Sequence, residues 1–267
     1  MTSKPELLEY DLGPAVRAFT TTRFGGCSEG NYASFNINGY CGDDPAHIAA
    51  NRAALCSELG IQPDRLILPH QVHGKKVLAV GVALLELDEV ARRERLEGID
   101  AVMTDVPGVC VGVSTADCIP VLLYDEAHGA VAAVHAGWRG TVQRIVAEAV
   151  RAMSRNYGSE AASLRAVIAP GISMAAFEVG DEVYDAFAAA GFPMDAVARR
   201  MGRWHIDLNV ANFLQLEAAG VPLDRIQVSS YCTYTECDRF FSARRLGIQS
   251  GRLYTGILLR PNNNKNR

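Results

Sequence analysis

Two stretches of this chain place reactive side chains directly after apolar runs. Thr115-Ala116-Asp117-Cys118 follows the run 109–113, and His135-Ala136-Gly137-Trp138-Arg139-Gly140 follows the run 130–134. Short runs of valine and alanine of this kind read as buried β-strands. A thiol and an imidazole, 17 residues apart, are then presented at strand ends. Such a couple can ligate a metal, or it can serve as nucleophile and base. The other six cysteines, Cys27, Cys41, Cys56, Cys110, Cys232 and Cys237, lie in apolar segments and read as small buried hydrophobes.

A third group comes from Pro69-His70-Gln71-Val72-His73-Gly74. On extended backbone, residues three apart face opposite sides, so at most one of the two histidines aims into a site. Gly74 gives His73 the greater backbone freedom and makes it the better candidate. His73, Cys118 and His135 together offer two imidazoles and a thiolate, a set suited to Zn²⁺ with the fourth tetrahedral position left to water. Zinc would bring the ionisation of that water near neutrality. The competing reading keeps the residues and drops the metal, with Cys118 as thiolate nucleophile and His135 as its base. The ligands come from distant segments rather than a compact cluster, and spacing leaves both readings open. Asp117 is costly near the end of an apolar strand unless it is paired or useful, and it is a candidate to orient a ligating histidine from behind.

Charge at the same strand ends suggests an anion. Arg23 closes a strand over 16–22 ahead of Gly25-Gly26, and Arg139 sits in a Gly-rich turn ahead of an amphipathic helix over 141–153. A helix N-terminus beside an arginine is a plausible phosphate or carboxylate site, although the spacing matches no P-loop or dinucleotide fingerprint. The polar loop 30–38, GNYASFNIN, is a candidate wall of the site, with Asn36 as a substrate contact.

The elements that must position these groups alternate along the chain. Asp44-Pro45 starts a helix with Ile48, Leu55 and Leu59 on one stripe and Gly60 at its end. Strands are expected over 66–68, 77–82, 164–168, 204–207, 226–231 and 254–260, helices over 179–190 and 210–219, and a charged, exposed helical insertion over 84–96. The tail 261–267 is polar and expected to be frayed. With no internal repeat or linker, one domain spanning 1–267 is the default.

The 267 residues suffice for a full core, and 49% of them are apolar against 21% charged, which fits a compact α/β or α+β protein. A formal charge of −4 argues against nucleic-acid binding. No apolar run is long enough to span a membrane, the start lacks the charged and apolar regions of a secretory signal, and an odd seven cysteines point to a reducing, cytoplasmic setting.

QVHG at 71–74, TADCIPVLL at 115–123 and HAGWRG at 135–140 resemble the signature motifs of the YfiH family, also named the polyphenol oxidase (laccase) family and the purine nucleoside phosphorylase YfiH/LACC family. TTRFGG, GNYASFNI, GDDP, Asn51-Arg52, APGI, FEVGDEV, CTY and FFSARR fit in order, so the resemblance covers nearly the whole chain. It implies zinc ligands at His73, Cys118 and His135, and an α/β/β/α sandwich with mixed sheets and flanking helices, related to cysteine hydrolases. The activities it implies are phosphorolysis of purine nucleosides, including methylthioadenosine, deamination of adenosine, and a link to peptidoglycan editing. The expected partners are therefore purine nucleosides and phosphate, with the chain a monomer or weak homo-oligomer. Copper-dependent phenol oxidation, the older family name, needs many histidines, whereas this chain has six, with His47 and His205 away from the motifs. One departure stands out: Tyr40 occupies a position where the family usually has histidine.

Overall fold

Residues 4–261 are described by the structure, a computed structural model. Except for Pro261, the tail 261–267 lies outside them. The strands that open the chain are β1 (Leu7–Tyr10), β2 (Val16–Thr21), β3 (Leu66–Ile67) and β4 (Val77–Ala79). The central run holds β5 (Ala101–Thr104), β6 (Cys110–Thr115), β7 (Ile119–Asp125) and β8 (Ala130–Ala136). Then follow β9 (Arg165–Ile168), β10 (Glu178–Val179), β11 (Ala198–Met201), β12 (Arg203–Ile206), β13 (Ile226–Val228) and β14 (Leu253–Leu259).

These strands form a five-stranded sheet in the order β1-β2-β14-β6-β3, a six-stranded sheet in the order β13-β9-β7-β8-β5-β4, and a small sheet β10-β12-β11. Both large sheets are mixed. The pairs β3–β6, β4–β5 and β9–β13 run parallel and the others antiparallel.

The burial of β7 shows how the layers stack. Successive side chains of a strand point to opposite faces. Ile119, Val121 and Leu123 pack with the helices Ile145–Tyr157 and Leu208–Ala218, whereas Leu122 and Tyr124 pack with Val111, Val113 and Ile257 of the other sheet. With both faces covered, β7 reads as a continuous apolar run. The far face of the five-stranded sheet carries Phe19, Cys110, Tyr254 and Leu258, which pack against Leu55, Cys56 and Leu59 of the helix Pro45–Leu59. The order is helix, sheet, sheet, helix, the layered α/β/β/α arrangement with mixed sheets that the sequence resemblance implies. No helix among the described residues is long and apolar enough to cross a membrane.

Helix signals in the sequence are met where local chemistry decides them. Asp44 Oδ1 accepts from Ala46 N at 2.7 Å, and Gly60 ends the helix with a φ of 67°. Two expectations need correction. The helix over 141–153 is instead a short turn of helix, Trp138–Val142, and a second helix, Ile145–Tyr157, separated by Arg144 at a φ of 63°. Contacts distant in sequence hold Arg144 in that unfavourable conformation: its Nη2 donates to Ala190 O at 2.8 Å and its guanidinium lies 3.6 Å from the Phe192 ring centre. The segment 84–96 is not one exposed helix either. Val82–Leu85 and Glu89–Arg95 are separate helices, pinned to the core by buried Leu84, Leu85 and Leu96.

Candidate metal centre

Cys118 lies where the chain crosses from β6, in one large sheet, to β7, in the other. The crossing is sharp, and Asp117 takes a φ of 90° to make it. Its carboxylate is fixed from two other motifs: Oδ1 accepts from Thr233 Oγ1 and Oδ2 from Arg244 N, both at 2.7 Å. The Asp117 carbonyl accepts from Ile172 N at 2.8 Å, and Thr233 N donates to Gly171 O at 3.0 Å. APGI, CTY and SARR thus converge on the turn that presents the thiol. Asp117 therefore shapes the ligand loop and touches neither histidine, which corrects its expected role of orienting one.

That role belongs to Asp100, which the sequence reading missed. Asp100 is fully buried at the head of β5, and its Oδ1 lies 2.8 Å from His135 Nδ1. An ionised carboxylate only accepts hydrogen bonds, so Nδ1 carries a proton in either state of the ring, and Nε2, turned toward Cys118, is the atom that can bind a metal once it gives up its own proton. The same carboxylate accepts from His73 N at 2.9 Å and from Gly74 N at 2.7 Å. One side chain thus orients the ring of one histidine and the backbone of the other. Burial would raise the Asp100 carboxyl, but the His135 hydrogen bond and charge, with the N–H groups of Gly74 and Val72, hold it below the usual carboxylate range.

His73 sits at a φ of 62°, on a loop tied to β6 by Gln71. The Gln71 side-chain amide donates to Ser114 O at 2.8 Å and accepts from Ser114 N at 2.7 Å, in the manner of an added strand residue. The rings of His73 and His135 meet edge to face with centres 4.8 Å apart. The ligand atoms of His73, Cys118 and His135 all lie within 4.8 Å of one another, the only such group of three among the described residues. Gly137 forms the floor: a Cβ there would stand 2.9 Å from Cys118 Sγ and 2.9 Å from His73 Cδ2.

Electrostatics match a ligand set. Burial would raise the Cys118 thiol, but the charge and hydrogen bond of His135, followed by those of His73, bring it down to about 6. Burial would lower His135, but the Cys118 charge and the Asp100 hydrogen bond raise it to about 9. The thiol is ready as a thiolate, the form that binds metal. Two imidazoles and one thiolate around a floor that carries no side chain fit a borderline-soft divalent ion with an open fourth position.

A cavity of about 220 Å³ opens over the three residues, walled also by Tyr40, Cys41, His70, Gln71, Thr115 and Arg252. Tyr40 stacks on His70 with ring centres 4.0 Å apart, and His70 Nδ1 lies 2.7 Å from Glu97. Loop 30–38 contributes Asn38 to the wall. The three expected substrate contacts lie elsewhere. Arg23 donates to the carbonyls of Ala33 and Cys237 and lies 4.9 Å from the Phe241 ring centre, bracing the loop. Asn36 is fully buried, its amide bonded to Asp43 and to the backbone of Asn38 and Arg252. Arg139 is exposed over the Trp138 ring, at 4.4 Å. Among the cysteines read as buried, Cys27, Cys41 and Cys237 are only half-buried.

The family described as multi-copper polyphenol oxidoreductase laccase matches residues 17–260. A Bacteroides thetaiotaomicron protein named purine nucleoside phosphorylase is 48% identical over 247 residues, covering 91% of this chain and 92% of its own length. A protein named adenosine deaminase RL5, from an unknown prokaryotic organism, is 42% identical over 258 residues, covering 94% and 98%. Among solved structures, Bacillus licheniformis YfiH superposes with a TM-score of 0.90 at 30% identity, covering 97% of this chain and 98% of its own.

Proposed function

We propose that this chain, which belongs to the multi-copper polyphenol oxidoreductase laccase family that includes the YfiH proteins, is a zinc-dependent enzyme that phosphorolyses purine nucleosides, methylthioadenosine among them, and deaminates adenosine. The names of its relatives support the substrate class. His73 is the observation that carries the metal-dependent reading. A nucleophile and base need only Cys118 and His135, whereas His73 converges on the same point as a third donor. Zinc held there would supply Lewis acidity and lower the ionisation of water toward neutrality.

The chain's own residues do the rest. Asp100 fixes the His135 tautomer, the Asp117 turn sets the thiolate, and the Gln71 clamp holds the His73 loop against β6. The Tyr40–His70 stack gives the cavity an aromatic wall for a planar base. Copper as the resident ion is disfavoured by histidine placement. His128 is paired with Asp125, His205 bonds the Met174 carbonyl, and no second group of three ligands exists among the described residues. Multicopper chemistry needs more imidazoles than one site of two.

A second reading is favoured by one observation: Asp100, His135 and Cys118 stand in the order of a hydrolase triad. It makes the chain a metal-free thiol hydrolase acting on peptide-like cell-wall substrates. Elemental analysis of purified protein, run beside product analysis of adenosine with and without phosphate, separates the two. Inosine reports deamination, and adenine with ribose 1-phosphate reports phosphorolysis. Full turnover in rigorously metal-free protein, or a covalent substrate adduct on Cys118, would overturn the zinc reading.

A further inference from the structure

A phosphorolytic site must hold phosphate beside the nucleoside, and neither Arg23 nor Arg139 lines the cavity. Arg252 does, and it is the only lysine or arginine among the lining residues. Its guanidinium is steered by main-chain carbonyls: Nη1 donates to Ser250 O at 2.7 Å and Gly251 O at 2.9 Å, and Nη2 to Ile248 O at 2.8 Å. Its backbone N–H donates to the buried Asn36 Oδ1 at 3.1 Å. Carbonyls orient the group without neutralising it, and among the described residues no carboxylate forms an ion pair with it. A guanidinium has five N–H donors, and among the described residues Nε together with one Nη2 hydrogen has no protein acceptor.

Ser114 and Thr115 also line the cavity, but as successive residues of β6 they point to opposite faces and both hydroxyls are buried, so they offer an anion no joint contact. An oxyanion accepts from a guanidinium, and its charge is best met by a fixed arginine.

We propose that Arg252 binds inorganic phosphate as the co-substrate, beside the centre formed by His73, Cys118 and His135. The inference rests on the phosphorolytic reading above. In the reaction a phosphate oxygen forms a bond to ribose C1′ while the bond from C1′ to the purine nitrogen breaks. The electron pair leaves with the base, and the proton given up by hydrogen phosphate ends on that base, yielding ribose 1-phosphate and free purine. Asn36 enters as a positioning residue, through the Arg252 backbone.

The test compares Arg252→Gln and Arg252→Lys with the parent protein in phosphorolysis and in phosphate-free deamination. Arg252→Gln is expected to raise the phosphate KM about tenfold or more while the adenosine KM in deamination moves less than about threefold, and Arg252→Lys to recover part of the loss. An unchanged phosphate KM, or equal losses in both reactions, overturns the assignment and leaves the phosphorolytic reading standing. If the parent turns over no nucleoside, that reading fails and calorimetry with inorganic phosphate decides the inference alone. Binding that is lost in Arg252→Gln supports it, and binding that is equal in both proteins, or absent from both, overturns it.

Discussion

Asp100 and His135 are joined at 2.8 Å inside the sandwich, and the same carboxylate holds the backbone of the His73 loop. Replacing Asp100 by Asn keeps the shape but sets an amide N–H₂ against groups that all donate. Metal affinity in Asp100→Asn should fall about 10–100-fold, the usual consequence of losing a ligand's carboxylate partner. Metal-free protein should also lose about 1–3 kcal/mol in urea denaturation, because buried donors are left unmatched. Competition against a chelator reads the first effect. Undiminished affinity would mean that the carboxylate supports the fold alone.

Gly137 has a simpler duty, which is to be absent from the space where the ligands meet. The added carbon of Gly137→Ala would stand 2.9 Å from both Cys118 Sγ and His73 Cδ2. Its φ of −67° is open to any residue, so the backbone itself is not strained by alanine. The variant should keep a thermal midpoint within a few degrees of the parent in metal-free form while its metal content and activity collapse. Full metal occupancy in Gly137→Ala would show that the three side chains do not close over this floor.

The three residues of the candidate centre are legible in the sequence because each ends or follows a strand in a motif of its own. Asp100 is not, although it carries the signal used for Asp117: one carboxylate beside an apolar strand. Cost of burial says that such a group is paired, and only the fold says with what. The arginines failed for a related reason. Arg23 and Arg139 stand at strand and helix ends where an anion would be expected, but both guanidinium groups lie on aromatic rings, while Arg252 reaches the cavity from a plain turn before β14. The helix break at Arg144 has no glycine or proline to announce it, and contacts to Ala190 and Phe192 hold it. Pairing of β2 with β14 joins the two ends of the chain and pairing of β6 with β14 joins its middle to its end, which no local pattern encodes.

Metal-free protein should expose the Cys118 thiolate chemically. With its ionisation brought down to about 6, Cys118 is mostly thiolate at neutral pH and is protonated only as the pH falls through that value. Burial pushes the Cys110 thiol up to about 12, and it stays protonated over the same range. Alkylation by iodoacetamide, mapped by mass spectrometry, should therefore rise at Cys118 with a midpoint near pH 6. His135→Ala removes the cation that favours the thiolate, and its midpoint should move upward. Bound metal should block the reaction. A parent midpoint near that of an ordinary thiol would contradict the electrostatic account.

Tyr40 forms a ring stack with His70 on the cavity wall. It is also half-exposed and borders a separate groove of about 680 Å³, so it stands between the centre and the outer surface. If the stack is the surface against which a purine is held, Tyr40→Ala should act on binding rather than on chemistry. An aromatic pair is worth about 0.5–1.5 kcal/mol, which converts to an adenosine KM raised about 2- to 12-fold with kcat nearly unchanged. Tyr40→His restores a flat ring and should recover most of that loss. A fall in kcat at constant KM would instead place Tyr40 in contact with the reacting atoms, and an unchanged KM in Tyr40→Ala would remove the stack from nucleoside recognition.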